Sequence, residues 1–259
     1  MAAGSLTIVG TGIKVAFHLT PEARAELKHA DEVLFLATDS ITIRWLEQVN
    51  PNSRSLLRFY AEGKDRRETY AEMVEEILAS VRRGRRVCAA FYGHPGVFVR
   101  PSHEAIRRAR LEGFEARMLP AVSAEDCLFS DIGFDPGETG CQSYEATEFL
   151  MHARTIDTSA ALVLWQVGFL GQLTYAPRPE RSRVPVLVDY LLARYPPDHE
   201  VVVYEALPYP VRRSSIERVA LSDLATADLA PMATLYVPPL QPPTSDPAML
   251  AKLGLGTDA

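Results

Sequence analysis

The sequence predicts an α/β protein built around a largely parallel sheet. Short apolar runs of strand length alternate with segments of helical period, in the order typical of β-α-β-α units. The clearest helix carries apolar residues at i, i+3, i+4, i+7, i+8 and i+11 from Tyr70 to Val81, and Gly84 ends it. The clearest loop, residues 92–98, holds two glycines directly after the apolar run 87–91. Such a loop at the end of a strand is where an α/β sheet places a ligand.

Composition narrows the class of protein. The chain has 259 residues, 47% of them hydrophobic, which is ordinary for a globular protein with a substantial core. Its 27 basic and 33 acidic residues give a net charge of −6, which argues against a nucleic-acid partner. No apolar stretch approaches the ~20 residues of a membrane span, and the N-terminus lacks a signal-peptide layout. Three cysteines do not form a disulfide framework, so we expect a cytoplasmic protein.

The elements of the first half follow from strand patterns and helix caps. Gly10-Thr11-Gly12 follows the first strand, although by itself it is only a fragment of a dinucleotide fingerprint. Thr20 before Pro21 is a hydroxyl N-cap followed by proline at the first helical position. Strands are predicted at residues 6–9, 32–36, 87–91 and 114–119. Helices are predicted to start at Thr20 and to cover residues 40–49, 65–83, 102–112 and the segment from the N-cap Ser123 through 128.

A change in composition near residue 131 predicts a domain junction. Glycine and proline at positions 133–140 are typical of a loop. Further strands are expected at 160–167, 200–206 and 232–237, with a helix over 184–195 and a short one at 248–253. We therefore predict an N-terminal α/β domain at 4–130, a C-terminal α/β domain at 131–240, and a tail at 241–259.

The familiar catalytic motifs are missing from the sequence. It has no phosphate-binding Gly-x-x-x-x-Gly-Lys-Ser/Thr loop and no Gly-x-Ser-x-Gly turn. It also lacks a Cys-x-x-Cys pair and histidines four apart, so no metal site is expected. Near the glycine loop there remain Tyr60, Arg66, Tyr70 and, inside the loop, Tyr92. Arg66 and Tyr70 are four residues apart and project from one side of a helix, yet spacing alone does not separate a catalytic role from a structural one.

A basic cluster surrounds the end of the same helix. Arginines there suit the negative end of the helix dipole, so a solvated cap is favoured over a binding patch. The cluster consists of Arg82, Arg83, Arg85 and Arg86.

Several motifs together resemble the tetrapyrrole-methylase superfamily of S-adenosylmethionine-dependent methyltransferases. Most of that superfamily carries Gly-Asp-Pro in the central loop, where this sequence has Gly-His-Pro-Gly-Val-Phe at residues 93–98. That variant, with the tyrosines and arginine at 60, 66 and 70, is similar to the borosin peptide backbone α-N-methyltransferases. The matching segments, which run from about Gly4 to Pro239, are residues 9–12, 91–98, 120–127, 144–147, 164–168, 198–202 and 234–239.

The resemblance implies a fold, a cofactor and a set of site residues. It implies two α/β domains of the class III methyltransferase type, with S-adenosylmethionine in the cleft between them and S-adenosylhomocysteine as the product. It places Tyr60, Arg66 and Tyr70 around the substrate amide and Tyr92 beside the donor methyl group. Gln166 is the polar residue least easily dismissed as core, because an amide at the end of an apolar strand needs a partner. The cofactor-binding residues it implies are Gly10, Tyr92, His94, Val97, Phe98, Ser123, Ala124, Gln166, Ala206 and Thr234, of which Val97, Phe98 and Ala206 could instead be core and Ser123 only an N-cap.

The resemblance also implies a mechanism. The nitrogen of a peptide bond is a poor nucleophile because its lone pair is delocalised into the carbonyl. Arg66 could stabilise the developing charge on the amide oxygen with its fork of donors. A tyrosine near that cation could accept the amide proton. Tyr70 is favoured because the i, i+4 spacing keeps it close to Arg66, and Tyr60 and Tyr92 remain alternatives.

Fused borosin proteins continue into a helical clasp domain and carry their own substrate peptide. This sequence stops at Ala259, so the resemblance implies the split type, which methylates a separate precursor peptide in trans. We expect a homodimer that binds two precursors. The alternatives are a methyltransferase acting on a small tetrapyrrole precursor and a non-catalytic relative that only holds a peptide.

Overall fold

The computed structural model describes residues 4–14, 16–176, 178–179, 181–209 and 213–256. The chain divides into two compact units, each with its own hydrophobic core. The first unit comprises Met1–Gly133, Gln172–Pro179 and Glu205–Ser215, and the second comprises Phe134–Gly171, Glu180–Tyr204 and Ile216–Ala259.

The first unit is a parallel sheet with helices on both faces. Its five strands lie in the order β3-β2-β4-β1-β5, and every pair runs parallel, so the predicted α/β class is confirmed. The strands are β1 (Ser5–Gly10), β2 (Glu32–Leu36), β3 (Ser53–Ser55), β4 (Arg86–Phe91) and β5 (Glu115–Met118). The helices are α1 (Pro21–His29), α2 (Ser40–Val49), α3 (Arg66–Arg82), α4 (Arg100–Leu111) and α5 (Ala124–Ile132), with a 3₁₀ turn at Leu57–Phe59.

Side-chain caps fix the starts of these helices. The Thr20 hydroxyl accepts the N–H of Ala23, as predicted, and Asp65 caps α3 through the N–H of Arg67. Ser123 caps α5 in a reciprocal capping box with Asp126, which confirms its N-cap role. The structure starts α4 two residues before the predicted Ser102, because Pro101 fits the first turn of a helix.

The two faces of this sheet carry separate clusters of buried side chains. Alternate residues of β4 point to opposite faces, so Ala89 packs with α3 and α4 whereas Ala90 packs with α1 and α2. The chain therefore leaves β1 toward one face and leaves the neighbouring β4 toward the other. Adjacent strands whose connections diverge in this way open a crevice at their carboxyl ends.

The second unit is built on a mixed sheet in the order β6-β7-β10-β8-β9. Strand β6 runs parallel to β7, whereas β10 is antiparallel to both β7 and β8. The strands are β6 (Cys141–Glu145), β7 (Ala161–Trp165), β8 (Glu200–Glu205), β9 (Ser215–Ala220) and β10 (Thr234–Val237). The helices are α6 (Pro136–Thr139), α7 (Ala146–Met151), α8 (Val184–Leu192) and α9 (Pro247–Leu253), with 3₁₀ turns at Val167–Phe169, Arg181–Arg183 and Leu221–Thr226.

Two segments group with a different unit from the one the sequence suggested. The predicted C-terminal domain, 131–240, includes residues 172–179 and 205–215, which the structure packs with the first unit. For the first of these segments the cause is a set of backbone hydrogen bonds. Tyr175 donates to the carbonyl of Lys64 at 2.9 Å and accepts from the N–H of Gly63 at 2.9 Å. The first unit therefore consists of three segments that are separate in the sequence.

None of the helices in the described residues is long and apolar enough to span a lipid bilayer.

The basic cluster after α3 surrounds a buried carboxylate. The Glu32 side chain is only 4% exposed and pairs with Arg54, with Arg85 at 3.2 Å and with Arg83 at 3.7 Å. Burial alone would raise the pKa of Glu32, but hydrogen bonds from Arg54 and Ser80 hold that pKa below its ordinary value. Two of the four arginines of the cluster thus have a structural role that tightens β2 against the end of α3.

We expect Glu32→Gln to lower the free energy of unfolding by about 1.5–3 kcal/mol at neutral pH, the usual contribution of hydrogen bonds to a charged group. Because the folded pKa lies below the ordinary 4.5, this stability is present above that pH and is lost as the pH falls through the folded value. Urea unfolding at pH 7 and pH 3 measures the difference. The control is Asp31→Asn, which weakens the exposed pair with Arg86 and should cost under ~1 kcal/mol. Equal costs for the two variants at pH 7 would contradict a structural role for Glu32.

Candidate active site

Two glycine-containing loops meet at the carboxyl ends of β1 and β4. The N–H of Gly12 donates to the carbonyl of Gly93 at 3.2 Å, and the N–H of Gly93 donates back to Gly12 at 3.1 Å. A Cβ atom on Gly10 would lie 2.1 Å from the Gly93 carbonyl oxygen, closer than real contacts allow. Glycine at position 10 therefore lets the two backbones touch at the crevice between diverging strands.

Histidine 94 stabilises the loop that follows β4. Its Nδ1 accepts the N–H of Gly96 at 3.0 Å, and its carbonyl accepts the N–H of Val97 at 3.1 Å. The ring of His103, from α4, lies with Nε2 2.9 Å from the Gly96 carbonyl. These contacts hold the loop in one conformation, which gives His94 a structural role beside any contact with a ligand.

The same loop presents two exposed aromatic side chains. Tyr92 is 39% exposed and Phe98 is 49% exposed, so the possibility that Phe98 is a core residue is wrong. Phe98 also adopts a left-handed backbone conformation, with φ of 55°. Non-glycine residues in that region cost free energy, and they concentrate at ligand sites. Val97 between them is half-buried.

The hydroxyl of Tyr92 lies in a negatively charged environment. Burial raises the pKa of this phenol above its ordinary value, and interactions with Cys127, Asp39 and Glu205 raise it further. Burial also raises the pKa of the Glu205 carboxyl at the end of β8. Tyr92 is consequently a neutral hydrogen-bond donor over the physiological pH range.

Ser123 and Ala124 lie at the start of α5, in the loop region after β5. The Ser123 hydroxyl donates to Asp126 Oδ2 at 2.7 Å and accepts the N–H of Asp126 at 3.2 Å. Ser123 is buried and Ala124 half-buried. The chain leading to Ser123 passes close to the first loop, because a Cβ on Gly10 would lie 2.6 Å from the Cβ of Ala121.

A second cluster combines Tyr60, Arg66 and Tyr70. Tyr60 ends the 3₁₀ turn, where its N–H donates to the carbonyl of Leu57 at 3.0 Å. Arg66 and Tyr70 lie in the first two turns of α3, and all three side chains are half-buried. Tyr70 and Arg66 both act electrostatically on the phenol of Tyr60, and the two tyrosines pack against the same core cluster. The structure thus brings together three residues that the sequence suggested.

The electrostatics of this cluster favour a neutral Tyr60. Burial is the main cause that raises the pKa of its phenol, and Tyr70 raises that pKa further, while the charge of Arg66 lowers it. Tyr60 is therefore a neutral hydrogen-bond donor at physiological pH.

Three of the suggested cofactor residues lie outside the loops described above. Ala206, half-buried, follows β8 and belongs to the first unit. Gln166 and Thr234 belong to the second unit. Gln166 directly follows β7 and has φ of 60°, so it is a further non-glycine residue in the left-handed region. Thr234 is buried and opens β10, opposite Tyr204.

The sequence did not predict four other residues as neighbours of Tyr92 and Tyr60. Asp39, Cys127 and Glu205 approach Tyr92 from α2, α5 and β8, and Tyr175 packs on Tyr60 with ring centroids 4.8 Å apart. They are distant from Tyr92 and Tyr60 in sequence, so neither periodicity nor a motif connects them. Among the described residues, no group of three or more His, Cys, Asp or Glu side chains is placed to hold a metal ion.

The first unit has a parallel sheet with glycine loops at its diverging central strands, and the second unit has a mixed sheet. These features define a class of α/β proteins that bind a ligand at strand ends. The profile of the Tetrapyrrole (Corrin/Porphyrin) Methylases matches residues 5–225. The chain belongs to this family of methylases.

Two relatives narrow the comparison. The chain is 41% identical, over 252 residues, to the "Methyltransferase/ribosomally synthesized cyclic peptide gymnopeptides precursor gymMA1" of Gymnopus fusipes. It is 39% identical to the corresponding omphalotin A precursor ophMA of Omphalotus olearius. These matches cover 95% and 98% of this chain but only 60% and 62% of the relatives, so the chain spans about three fifths of their length.

The fold is shared with a solved methyltransferase. The uroporphyrin-III C-methyltransferase of Thermus thermophilus, complexed with S-adenosylhomocysteine, superposes with a TM-score of 0.63 at 17% identity. The match covers 91% of this chain and 92% of that one. The predicted class III methyltransferase fold is therefore confirmed.

Proposed function

We propose that this protein transfers methyl groups from S-adenosylmethionine to backbone amide nitrogens of a ribosomally made peptide. The observation that carries the proposal is the grouping of Tyr60, Arg66 and Tyr70 at the start of α3, in the same unit as the glycine loops. The names of the two relatives, each of which joins a methyltransferase to a cyclic peptide precursor, agree with it.

The loops after β1 and β4 suit S-adenosylmethionine. Exposed Tyr92 and Phe98 offer aromatic surface for an adenine ring or a sulfonium. The carboxyls of Asp39 and Glu205 near Tyr92 give a negative field that favours a positively charged ligand. When bound, this cofactor supplies an electrophilic methyl group. The residues proposed to hold it are Gly10, Tyr92, His94, Val97, Phe98, Ser123, Ala124, Gln166, Ala206 and Thr234.

The Tyr60, Arg66 and Tyr70 cluster supplies what the substrate amide needs. The guanidinium of Arg66 would donate to the amide oxygen as negative charge develops there, which lowers the cost of ionising the N–H. Tyr70 would take the amide proton as a phenolate, a form that the cation of Arg66, one helical turn away, would stabilise. Tyr60 lies beside this pair as a neutral phenol, and Tyr92 would contact the substrate or cofactor as a neutral donor. Holding the reacting atoms in line could lower the barrier by a further ~7–11 kcal/mol.

The peptide is proposed to be a separate chain that acts as substrate in trans. The residues proposed for the amide site lie between positions 60 and 92. We further propose a cytoplasmic homodimer that binds two precursors.

The test is co-expression of the 259-residue polypeptide with a precursor peptide, followed by mass spectrometry. We expect mass increases in steps of one methyl group, located on backbone nitrogens by fragmentation. Calorimetry of the purified protein should show binding of S-adenosylmethionine in the presence of EDTA, and light scattering should give the mass of a dimer. Cofactor binding with methylation of a tetrapyrrole precursor instead would favour the small-molecule alternative. Cofactor and peptide binding without methylation would favour the non-catalytic one.

A further inference from the structure

A short strap of chain, residues 172–176, covers the start of α3. Its Thr174 pairs with Asp65 in an isolated antiparallel bridge. The N–H of Arg66 donates to the carbonyl of Leu173 at 3.3 Å, and Tyr175 exchanges two backbone hydrogen bonds of 2.9 Å with Gly63 and Lys64. Three backbone hydrogen bonds, two of which form the bridge, therefore fasten this strap to the loop between Tyr60 and Arg66.

The strap also reaches Tyr60 through a side chain. The rings of Tyr175 and Tyr60 lie with centroids 4.8 Å apart at an interplanar angle of 45°, within the range of favourable aromatic pairs. Both tyrosines are half-buried, and Tyr60 also packs against the core cluster beneath α3. Tyr60 is thus held between the core and the strap.

The strap consequently contacts both Tyr60 and the helix that carries Tyr70. It contacts Tyr60 through the ring of Tyr175 and that helix through the backbone of Arg66. We propose that Tyr175 is a positioning residue, which keeps the side chain of Tyr60 in place beside Arg66 and Tyr70. Its importance for methyl transfer rests on the proposed function, whereas its effect on Tyr60 does not.

The position of Tyr60 matters because its side chain belongs, with Arg66 and Tyr70, to the proposed amide site. Displacing a catalytic group by about 1 Å can reduce a rate ~10²-fold. Burial favours the protonated form of the Tyr60 hydroxyl. Removing the ring of Tyr175 would also let water reach this hydroxyl. Loss of Tyr175 should therefore change both the rate and the ionisation of Tyr60.

The experiment compares Tyr175→Leu with Tyr175→Phe, which keeps the ring, and with Thr174→Ala, a neighbouring strap residue that keeps its backbone contacts. Methylation is followed at saturating S-adenosylmethionine. We expect Tyr175→Leu to lower kcat at least ~10-fold with an unchanged KM for the cofactor, and the other two variants to stay within about twofold of the wild type.

A second readout needs no activity. Protein labelled with ¹³C at the tyrosine ζ carbons gives one resonance per phenol, and Tyr60→Phe assigns that of Tyr60. In Tyr175→Leu this resonance should move and titrate at a lower pH, whereas Tyr175→Phe should leave it in place. If Tyr175→Leu does not fold, Tyr175→Met serves as the variant without a ring.

An unmoved Tyr60 resonance in the folded variant without the ring would overturn the positioning role. If the Tyr60 resonance moves but kcat is unchanged, the importance of Tyr175 for the reaction is overturned. If the wild type methylates no peptide while the resonance moves as expected, the proposed function fails and the positioning of Tyr60 stands.

Discussion

Tyr70→Phe should lower the rate of peptide methylation ~10²–10⁴-fold while leaving the fold and cofactor binding nearly unchanged. Removing a general base typically costs a factor of this size. The substitution keeps the ring, which packs against the core cluster of the first unit, and deletes only the phenol oxygen. Single-turnover rates with bound precursor, measured beside thermal melts, separate a chemical effect from a structural one.

The matched control is Tyr190→Phe, which removes one phenol oxygen from the second unit, where that hydroxyl lies 3.5 Å from the carbonyl of Arg154. Its rate should equal that of the wild type. If Tyr70→Phe turned over near the wild-type rate, the proton acceptor would have to be Tyr60 or Tyr92. Both are poorer candidates, because burial raises the pKa of each phenol above its ordinary value.

Local patterns predicted the first unit well because its elements have strong local signals. Strand β4 is an uninterrupted apolar run, α3 has a clear helical period, and Thr20 and Ser123 are standard N-caps. The glycines of the two loops also correctly indicated a close approach of the backbone, since Gly10 allows the contact with Gly93. For these elements the side-chain pattern and the fold agree closely.

Edge strands and contacts distant in sequence escaped this reasoning. Strands β6 and β9 lie at the edges of the second sheet and are half-buried or exposed along their length, so they lack an apolar pattern. Tyr175 joins Tyr60 through a strap that follows the first part of the second unit in sequence. Only the folded chain brings such residues together, and the residues around Tyr92 were missed for the same reason.

The position of Arg66 shows how a local signal and a distant contact combine. The helical period placed Arg66 and Tyr70 on one side of α3, and the cap at Asp65 fixes where that helix begins. The backbone of Arg66 is further held by Leu173 of the strap. A cation on a doubly fixed backbone is well suited to stabilising charge that develops at one place.

We therefore expect Arg66→Ala to lower methyl transfer by ~10²–10³-fold, corresponding to the ~2.7–4 kcal/mol typical of losing one donor to a developing oxyanion. Arg66→Lys retains the charge but not the planar fork, so its rate should fall between those of Arg66→Ala and the wild type. The matched control is Arg67→Ala, which removes an exposed arginine from the same helical turn. Its rate and melting temperature should match those of the wild type.

The pattern across these three variants distinguishes a chemical role from a structural one. If Arg66 only stabilised the first turn of α3, Arg66→Ala would lower the melting temperature while each folded molecule kept its rate. If it supplied only a diffuse positive charge, Arg66→Lys would be fully active and Arg67→Ala would be partly impaired. A large loss in Arg66→Ala, an intermediate one in Arg66→Lys and none in Arg67→Ala is the result that requires a guanidinium directed at the substrate oxygen.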